Sequence, residues 1–157
     1  MKQKFNKGLS VIEVVIGAAI ILVTVSATAL AFQAIVRSAA LANHITAAAF
    51  LLEEGVEAVK VIRGAAWTNV SNLNHGTAYT LAFSGGTWTT QTSRQFIDGL
   101  FDRTIVVSNV YRDAEDDIAS SGTLDVDTKQ ITVTVAWRER EATTTKTIST
   151  YVTNFSE

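Results

Sequence analysis

A long uncharged apolar run near the N-terminus constrains this chain more than any other feature. No residue from Val14 to Val36 is charged, and Glu13 stands directly before this run. At a rise of about 1.5 Å per residue, a helix of this length crosses a hydrocarbon core of about 30 Å. An ionisable group at membrane depth costs roughly 2.5–3.5 kcal/mol, so Glu13 is a candidate functional residue. The run therefore predicts a membrane-spanning helix with one functional acid at its start.

The charges on either side of the run predict its orientation. Lys2, Lys4 and Lys7 precede it without any acidic residue among them. By the positive-inside rule, the N-terminus stays in the cytoplasm and the chain after Arg37 lies outside. The sequence thus predicts a single-pass protein of the inner or cytoplasmic membrane with one external domain.

Two ordinary interpretations explain the segment only in part. A signal peptide has an apolar core of about 7–15 residues and a small-x-small cleavage site, which Ala27-Thr28-Ala29 fits. The run is longer than such a core, however, and Glu13 interrupts its front. A plain uncleaved anchor explains the lysines and the span but leaves the acid without a role.

The residues around the acid resemble a known processing site. The segment Lys7-Gly8-Leu9-Ser10-Val11-Ile12-Glu13 is similar to the class III prepilin signal of the type IV pilin and pseudopilin family. This resemblance implies that residues 1–8 are a leader peptide, which a prepilin peptidase removes between Gly8 and Leu9. It also implies N-methylation of Leu9, and a role in assembly for Glu13, whose carboxylate accepts the new amino group of a neighbouring subunit.

The chain departs from the family pattern at three points. The residue after the cut is Leu9, where Phe is the most common choice. Many pilins have a proline in the apolar helix and a disulfide in the head, whereas this chain has neither proline nor cysteine. Gly17 is therefore the only obvious weak point of the span, because glycine costs about 1 kcal/mol against alanine inside a helix.

The helix is predicted to continue beyond the membrane. Residues 9–36 form the transmembrane and assembly segment, 37–64 an amphipathic half packed on the head, and 65–157 a β-rich globular head. Gly64 is the expected C-cap, and the segment from Ala49 to Arg63 followed by Trp67 resembles minor pilins related to the PilV and GspI groups. The apolar stripe of the second half recurs at spacings of three and four: Leu41, Ile45, Ala48, Leu52, Val56, Val59 and Ile62.

After the helix, the apolar period changes from helical spacing to two, which indicates strands. Predicted strands run from Tyr79 to Phe83, Thr87 to Thr92, Arg103 to Tyr111, Gln130 to Trp137 and Thr143 to Phe155, with residues 138–141 as a charged connection. The expected inward residues are Ile105, Val107, Ile131, Val133, Val135, Trp137, Ile148 and Val152. One helix followed by several strands predicts an α+β fold, a long N-terminal helix packed on an antiparallel sheet in a pilin-like roll.

Candidate chemistry in the head is sparse. Asp113, Glu115, Asp116 and Asp117 crowd one loop and are weak Ca²⁺ candidates, but their spacing does not match an EF-hand, and a solvated acidic loop is favoured. The sequence contains no nucleophile elbow, P-loop or dinucleotide fingerprint, so neither an enzyme nor a cofactor is expected. A net charge of −2 argues against nucleic acid as a partner.

The sequence thus predicts a structural, minor subunit of a type IV pilus-like filament. The expected partners are other pilin subunits, the prepilin peptidase, an inner-membrane assembly platform and, before assembly, membrane lipid; the final location is an extracellular filament. A pseudopilin of a type II secretion system is the alternative within the family. A membrane-anchored extracytoplasmic binding or sensor domain is the alternative of another class.

Overall fold

The computed structural model describes residues 10–139 and 141–155, so Gly8 and Leu9 lie outside the described residues. The chain divides into two compact units between His44 and Ile45. Helix α1 runs over Val11–Ala65. The prediction of one long N-terminal helix is therefore confirmed.

The end of α1 corrects one prediction. Gly64 was expected to cap the helix, but it lies inside α1, which ends at Ala65. Apart from its chain neighbours and the backbone of its own helix, no described atom lies within 4 Å of the place where a Cβ at Gly64 would stand. Gly64 is therefore an ordinary helical residue in open space, and a short second helix, α2, follows at Thr68–Ser71.

Among the described residues, seven strands form one antiparallel sheet in the second unit. The order is β2-β1-β4-β6-β7, and the short strands β3 and β5 pair with β4. The strands are β1 Ala78–Ser84, β2 Thr87–Gln91, β3 Phe96–Ile97, β4 Phe101–Arg112, β5 Ile118–Ala119, β6 Thr123–Glu139 and β7 Ala142–Thr153. This architecture confirms the predicted α+β class with a helix packed on an antiparallel sheet.

The second half of α1 covers one face of the sheet through small residues. Its buried side is formed by Ala48, Leu52, Gly55, Ala58, Val59 and Ile62. A Cβ at Gly55 would stand only 2.6 Å from Cγ1 of Val133 on β6, so helix and sheet are close because Gly55 has no side chain. Leu41 and Ile45 of the predicted stripe are exposed, and the buried stripe of the second unit begins at Ala48.

The two central strands supply most of the core, as their alternation predicted. Every second residue is buried over residues 101–107 of β4 and 131–137 of β6: Phe101, Arg103, Ile105 and Val107 on the first, and Ile131, Val133, Val135 and Trp137 on the second. The rings of Phe101 and Trp137 meet edge to face at 5.8 Å. The predicted inward residues of these strands are therefore confirmed, and Arg103 joins them as a buried charge.

Strands β6 and β7 correct two further predictions. Val152 is buried as expected, but Ile148 is 41% exposed. The reason is its place in the sheet: β7 is an edge strand, which has a neighbour on one side only. In addition, β6 continues through Glu139, which pairs with Ala142, so the charged connection is shorter than the predicted residues 138–141.

Candidate functional site

The first described part of α1 presents an apolar surface. Large hydrophobic residues from Val11 to Val36 are more than half exposed, and this stretch includes Ile16, Ile20, Leu22, Leu30, Phe32 and Ile35. By length and composition, α1 contains a segment that could cross a membrane, and none of that segment is buried in the structure. A surface of this kind is stable only against lipid or against other apolar helices.

Two threonines within this surface have their hydroxyl groups satisfied by the helix itself. The hydroxyl of Thr24 donates to the carbonyl oxygen of Ile20, and that of Thr28 donates to the carbonyl oxygen of Thr24 at 2.9 Å. Because the hydroxyl protons are bound locally, these threonines do not need water. The segment therefore remains compatible with a hydrocarbon environment despite its threonines.

Glu13 is exposed and lies in the first turn of α1. The backbone N–H groups of Glu13 and Val14 both donate to the carbonyl oxygen of Ser10, at 2.9 and 3.2 Å, which starts the helix. A carboxylate in the first turn is favoured by the helix dipole, typically by 0.3–1 kcal/mol. No ion pair involves Glu13 within residues 10–139 and 141–155.

In the acidic loop of the head, the carboxylate of Asp113 is used for the structure of the loop itself. Oδ1 of Asp113 accepts the N–H groups of Glu115 and Asp117, at 3.1 and 2.9 Å. Arg112 donates from Nη1 to the carbonyl oxygen of Asp116 at 2.7 Å, and its Nε lies 3.6 Å from Oδ1 of that residue. These bonds stabilise the turn between β4 and β5. Within the described residues, no group of three or more acidic, histidine or cysteine side chains could hold a metal ion.

An irregularity in β6 brings a further carboxylate to Arg112. The register with β4 shifts between Asn109, which pairs with Lys129, and Val110, which pairs with Asp125. As a result, Nε of Arg112 donates to Oδ2 of Asp125 at 2.7 Å. This hydrogen bond holds the pKa of Asp125 below its ordinary value and raises the pKa of Arg112. The sequence predicted an acidic loop here but did not identify Arg112 as its counter-charge.

A charge pair between α1 and the sheet, with a buried arginine, was also missed by the sequence reasoning. Arg103 is only 4% exposed, and its Nη1 donates to Oε2 of Glu54 and, at 3.3 Å, to the carbonyl oxygen of Leu51. Its guanidinium lies 5.4 Å from the ring centroid of Trp88. One signal could have found it: Arg103 is in phase with Ile105 and Val107, which the alternation correctly placed inside.

Three sites can thus be compared as candidates for function. Two of them are ion pairs of the second unit, Arg103 with Glu54 and Arg112 with Asp125; each pair joins two elements of that unit and so stabilises the fold. The apolar surface of α1 with Glu13 makes no comparable contact within the fold, because nothing in the described chain covers it. Comparisons with models of protein families, with curated proteins and with solved structures return no match.

Proposed function

We propose that this protein is a structural, minor subunit of a type IV pilus-like filament. A prepilin peptidase cuts the precursor after Gly8 and methylates the new N-terminus at Leu9. The observation that carries the proposal is the uncovered apolar surface of α1 with one acid in its first turn. The similarity of residues 7–13 to a prepilin signal supports the same conclusion from the sequence.

The apolar surface supplies the contacts of the filament. Before assembly it faces lipid, and in the filament it faces the same segments of neighbouring subunits. Between apolar helices the driving force is close packing, which small residues favour because they let backbones approach. The segment is rich in such residues: Gly17, Ala18, Ala19, Ala27, Ala29, Ala31 and Ala34.

Glu13 fixes the stagger between neighbouring helices, which apolar packing alone would leave undefined. Cleavage after Gly8 creates an amino group on Leu9, which is a cation beside a hydrocarbon phase. An unpaired charge there is costly, so the carboxylate of Glu13 and the amino group of an adjacent subunit stabilise each other. Only one stagger between neighbouring helices brings the two groups together, and the pair therefore sets the position of each new subunit.

The experiment compares Glu13→Gln with Glu53→Gln in cells that make the filament. Glu53 is an exposed acid of the same helix outside the apolar run, so its substitution is the matched control. Both variants should insert and be cleaved normally. We expect Glu13→Gln to lower the amount of the protein in sheared surface fractions at least about tenfold, the effect of losing about 1.4 kcal/mol per subunit contact.

Equal amounts of both variants in the sheared fractions would contradict a role for Glu13 in assembly. Absence of even the unaltered protein from those fractions, with the full-length chain retained in the membrane, would instead favour the membrane-anchored binding or sensor domain.

A further inference from the structure

Within the described residues, strand β7 has no partner strand on one side of its backbone. It is 12 residues long and pairs with β6 alone in that part of the chain, in a regular register from Glu139 opposite Ala142 to Thr128 opposite Thr153. The strand at the other end of the sheet, β2, has only five residues. The long edge of the sheet is therefore the edge of β7.

The direction of the free backbone groups follows from two hydrogen bonds at the end of β7. The N–H of Asn154 donates back to the carbonyl oxygen of Asp127 at 2.7 Å, so even-numbered residues face β6. The carbonyl oxygen of Thr153 instead accepts Nη1 of Arg63 at 3.1 Å, so odd-numbered residues face outward. Because backbone direction alternates along a strand, Thr145, Thr147, Ser149 and Tyr151 present their N–H and C=O groups to the outside.

This edge lacks the usual protection against strand pairing. Edges are commonly blocked by proline, by several charges, by a bulge or by a covering element. The chain has no proline, and Lys146 is the only charged residue of β7. The register with β6 has no bulge, and the side chains of Thr145, Thr147, Ser149 and Tyr151 are all exposed.

We propose that β7 pairs antiparallel with β7 of a second copy of this chain, with Ile148 on the two-fold axis. The symmetric registers centred on Thr147 and on Ile148 oppose nearly the whole strand equally, and the second places Ile148, which is 41% exposed, against its own counterpart. Lys146 then lies opposite the partner's Thr150, so no like charges meet. Thr147 lies opposite the partner's Ser149, and Thr145 opposite the partner's Tyr151.

This contact is distinct from the filament contacts proposed for α1. The outward groups of Thr145, Thr147, Ser149 and Tyr151 on the two copies form about eight backbone hydrogen bonds in the symmetric pair. A two-fold contact uses the same surface on both copies and closes after two. It therefore joins heads in pairs, within or between filaments, and does not propagate along one. It needs neither cleavage after Gly8 nor the carboxylate of Glu13.

The absence of cysteine makes a positional cross-linking test possible. Ile148→Cys and the control Thr144→Cys are introduced separately into the full chain, which is purified in detergent and treated with a mild oxidant. Residue 148 faces its own copy across a non-hydrogen-bonded pair, with Cα atoms about 4.5 Å apart, within the range of a disulfide. Residue 144 lies about 27 Å from its own copy in this register.

We expect disulfide-linked dimers with Ile148→Cys, at least about tenfold faster than with Thr144→Cys. Adding Glu13→Val should leave the rate unchanged, which separates this contact from the filament proposal. Adding Ser149→Pro should abolish the cross-link, because proline removes an outward N–H group without touching the ladder to β6. Circular dichroism checks that this last variant remains folded.

Equal rates at positions 144 and 148, or no dimer at either, would overturn the pairing. Single cysteines can also be placed in turn at residues 144 to 152. The pairing would be overturned if the cross-linking rate were highest at any position other than 148. These cysteine variants decide the outcome even if Ser149→Pro fails to fold.

Discussion

The guanidinium of Arg103 on β4 is bound to the carboxylate of Glu54 on α1, across the interface between helix and sheet. The two partners differ in exposure: the side chain of Arg103 is 4% exposed and that of Glu54 is 49% exposed. A buried cation that loses its counter-charge keeps its desolvation cost without the attraction that offset it. We therefore expect the loss of Glu54 alone to be tolerated less well than a change of both partners together.

Removing the carboxylate should destabilise the protein more than removing a surface carboxylate of the same helix. We expect Glu54→Ala to lower the free energy of unfolding by about 1.5–3 kcal/mol, the usual effect of losing a hydrogen bond to a charged group. Glu57→Ala removes the partner of Lys60 in an exposed pair and should cost less than about 1 kcal/mol. Urea unfolding of both variants, followed by tryptophan fluorescence, measures the difference; equal midpoints would contradict the account.

Replacing Arg103 together with Glu54 should be tolerated better than removing Glu54 alone, which leaves the cation without its counter-charge. Nε of Arg103 has no hydrogen-bond partner among the described residues, so the buried guanidinium is incompletely satisfied. We expect Glu54→Ala combined with Arg103→Met to be more stable than Glu54→Ala alone, because an apolar chain of similar length removes the unpaired charge. The same urea titration tests this. A double variant less stable than the single one would show that Arg103 contributes mainly by other contacts, such as that with Trp88.

Gly55 and Gly64 should respond to alanine in opposite directions. A Cβ at Gly55 would approach Cγ1 of Val133 to 2.6 Å, whereas a Cβ at Gly64 would meet no described atom within 4 Å outside its own stretch of helix. We expect Gly55→Ala to destabilise by about 1–3 kcal/mol through overpacking, despite its better helix propensity. Gly64→Ala should be neutral or stabilising by up to about 1 kcal/mol. Thermal unfolding by circular dichroism compares the two, and a stabilising Gly55→Ala would contradict the close approach of helix and sheet.

The pair between Arg112 and Asp125 should make stability depend on pH in the acidic range. Arg112 holds the pKa of Asp125 below its ordinary value, so folding favours the ionised carboxylate. The stabilisation is complete above the unfolded pKa of about 3.9, and it is lost as the pH falls through the lower, folded pKa. We expect the unaltered protein to lose more stability than Asp125→Asn between about pH 6 and pH 3. Parallel losses in guanidinium titrations at the two pH values would contradict the assignment.

Two deletions test which part of α1 the head requires. Removing residues 1–36 takes away the apolar run but retains the buried stripe that begins at Ala48, so the shortened chain should be soluble and folded. Removing residues 1–63 also takes away Leu52, Val59 and Ile62, which exposes Ile131, Val133 and Val135, and this chain should aggregate. Circular dichroism and light scattering distinguish the two outcomes. A soluble, folded product of the longer deletion would show that the sheet does not need the helix.

The parts of the fold that follow from local periodicity could be predicted from the sequence. Alternation identified six buried residues of the two central strands: Ile105, Val107, Ile131, Val133, Val135 and Trp137. Helical spacing identified Ala48, Leu52, Val59 and Ile62 on α1. Ile148 was placed wrongly because alternation tells which residues share a face and not which strand lies at the edge of the sheet. Gly64 was placed wrongly because an exposed glycine is tolerated in a helix at a cost of about 1 kcal/mol.

The charges of the head were harder to assign, since their partners are distant in sequence. Glu54 meets Arg103 from 49 positions away. Asp125 comes close to Arg112 because the register between β4 and β6 shifts, and no sequence pattern predicts that shift. By contrast, Glu13 stands out from the sequence alone, because an acid beside a long apolar run needs no tertiary structure to be recognised. The processing residues Gly8 and Leu9 lie outside the described residues and stay predictions.

Mass spectrometry of the mature protein tests the central claim most directly. The account predicts a chain purified from membranes or filaments that begins at Leu9 and carries one methyl group on its amino nitrogen. Gly8→Val should retain the full precursor mass, because a β-branched side chain crowds the scissile backbone. A native chain that still begins at Met1, or one cut after Ala29, would contradict the assignment to the pilin class.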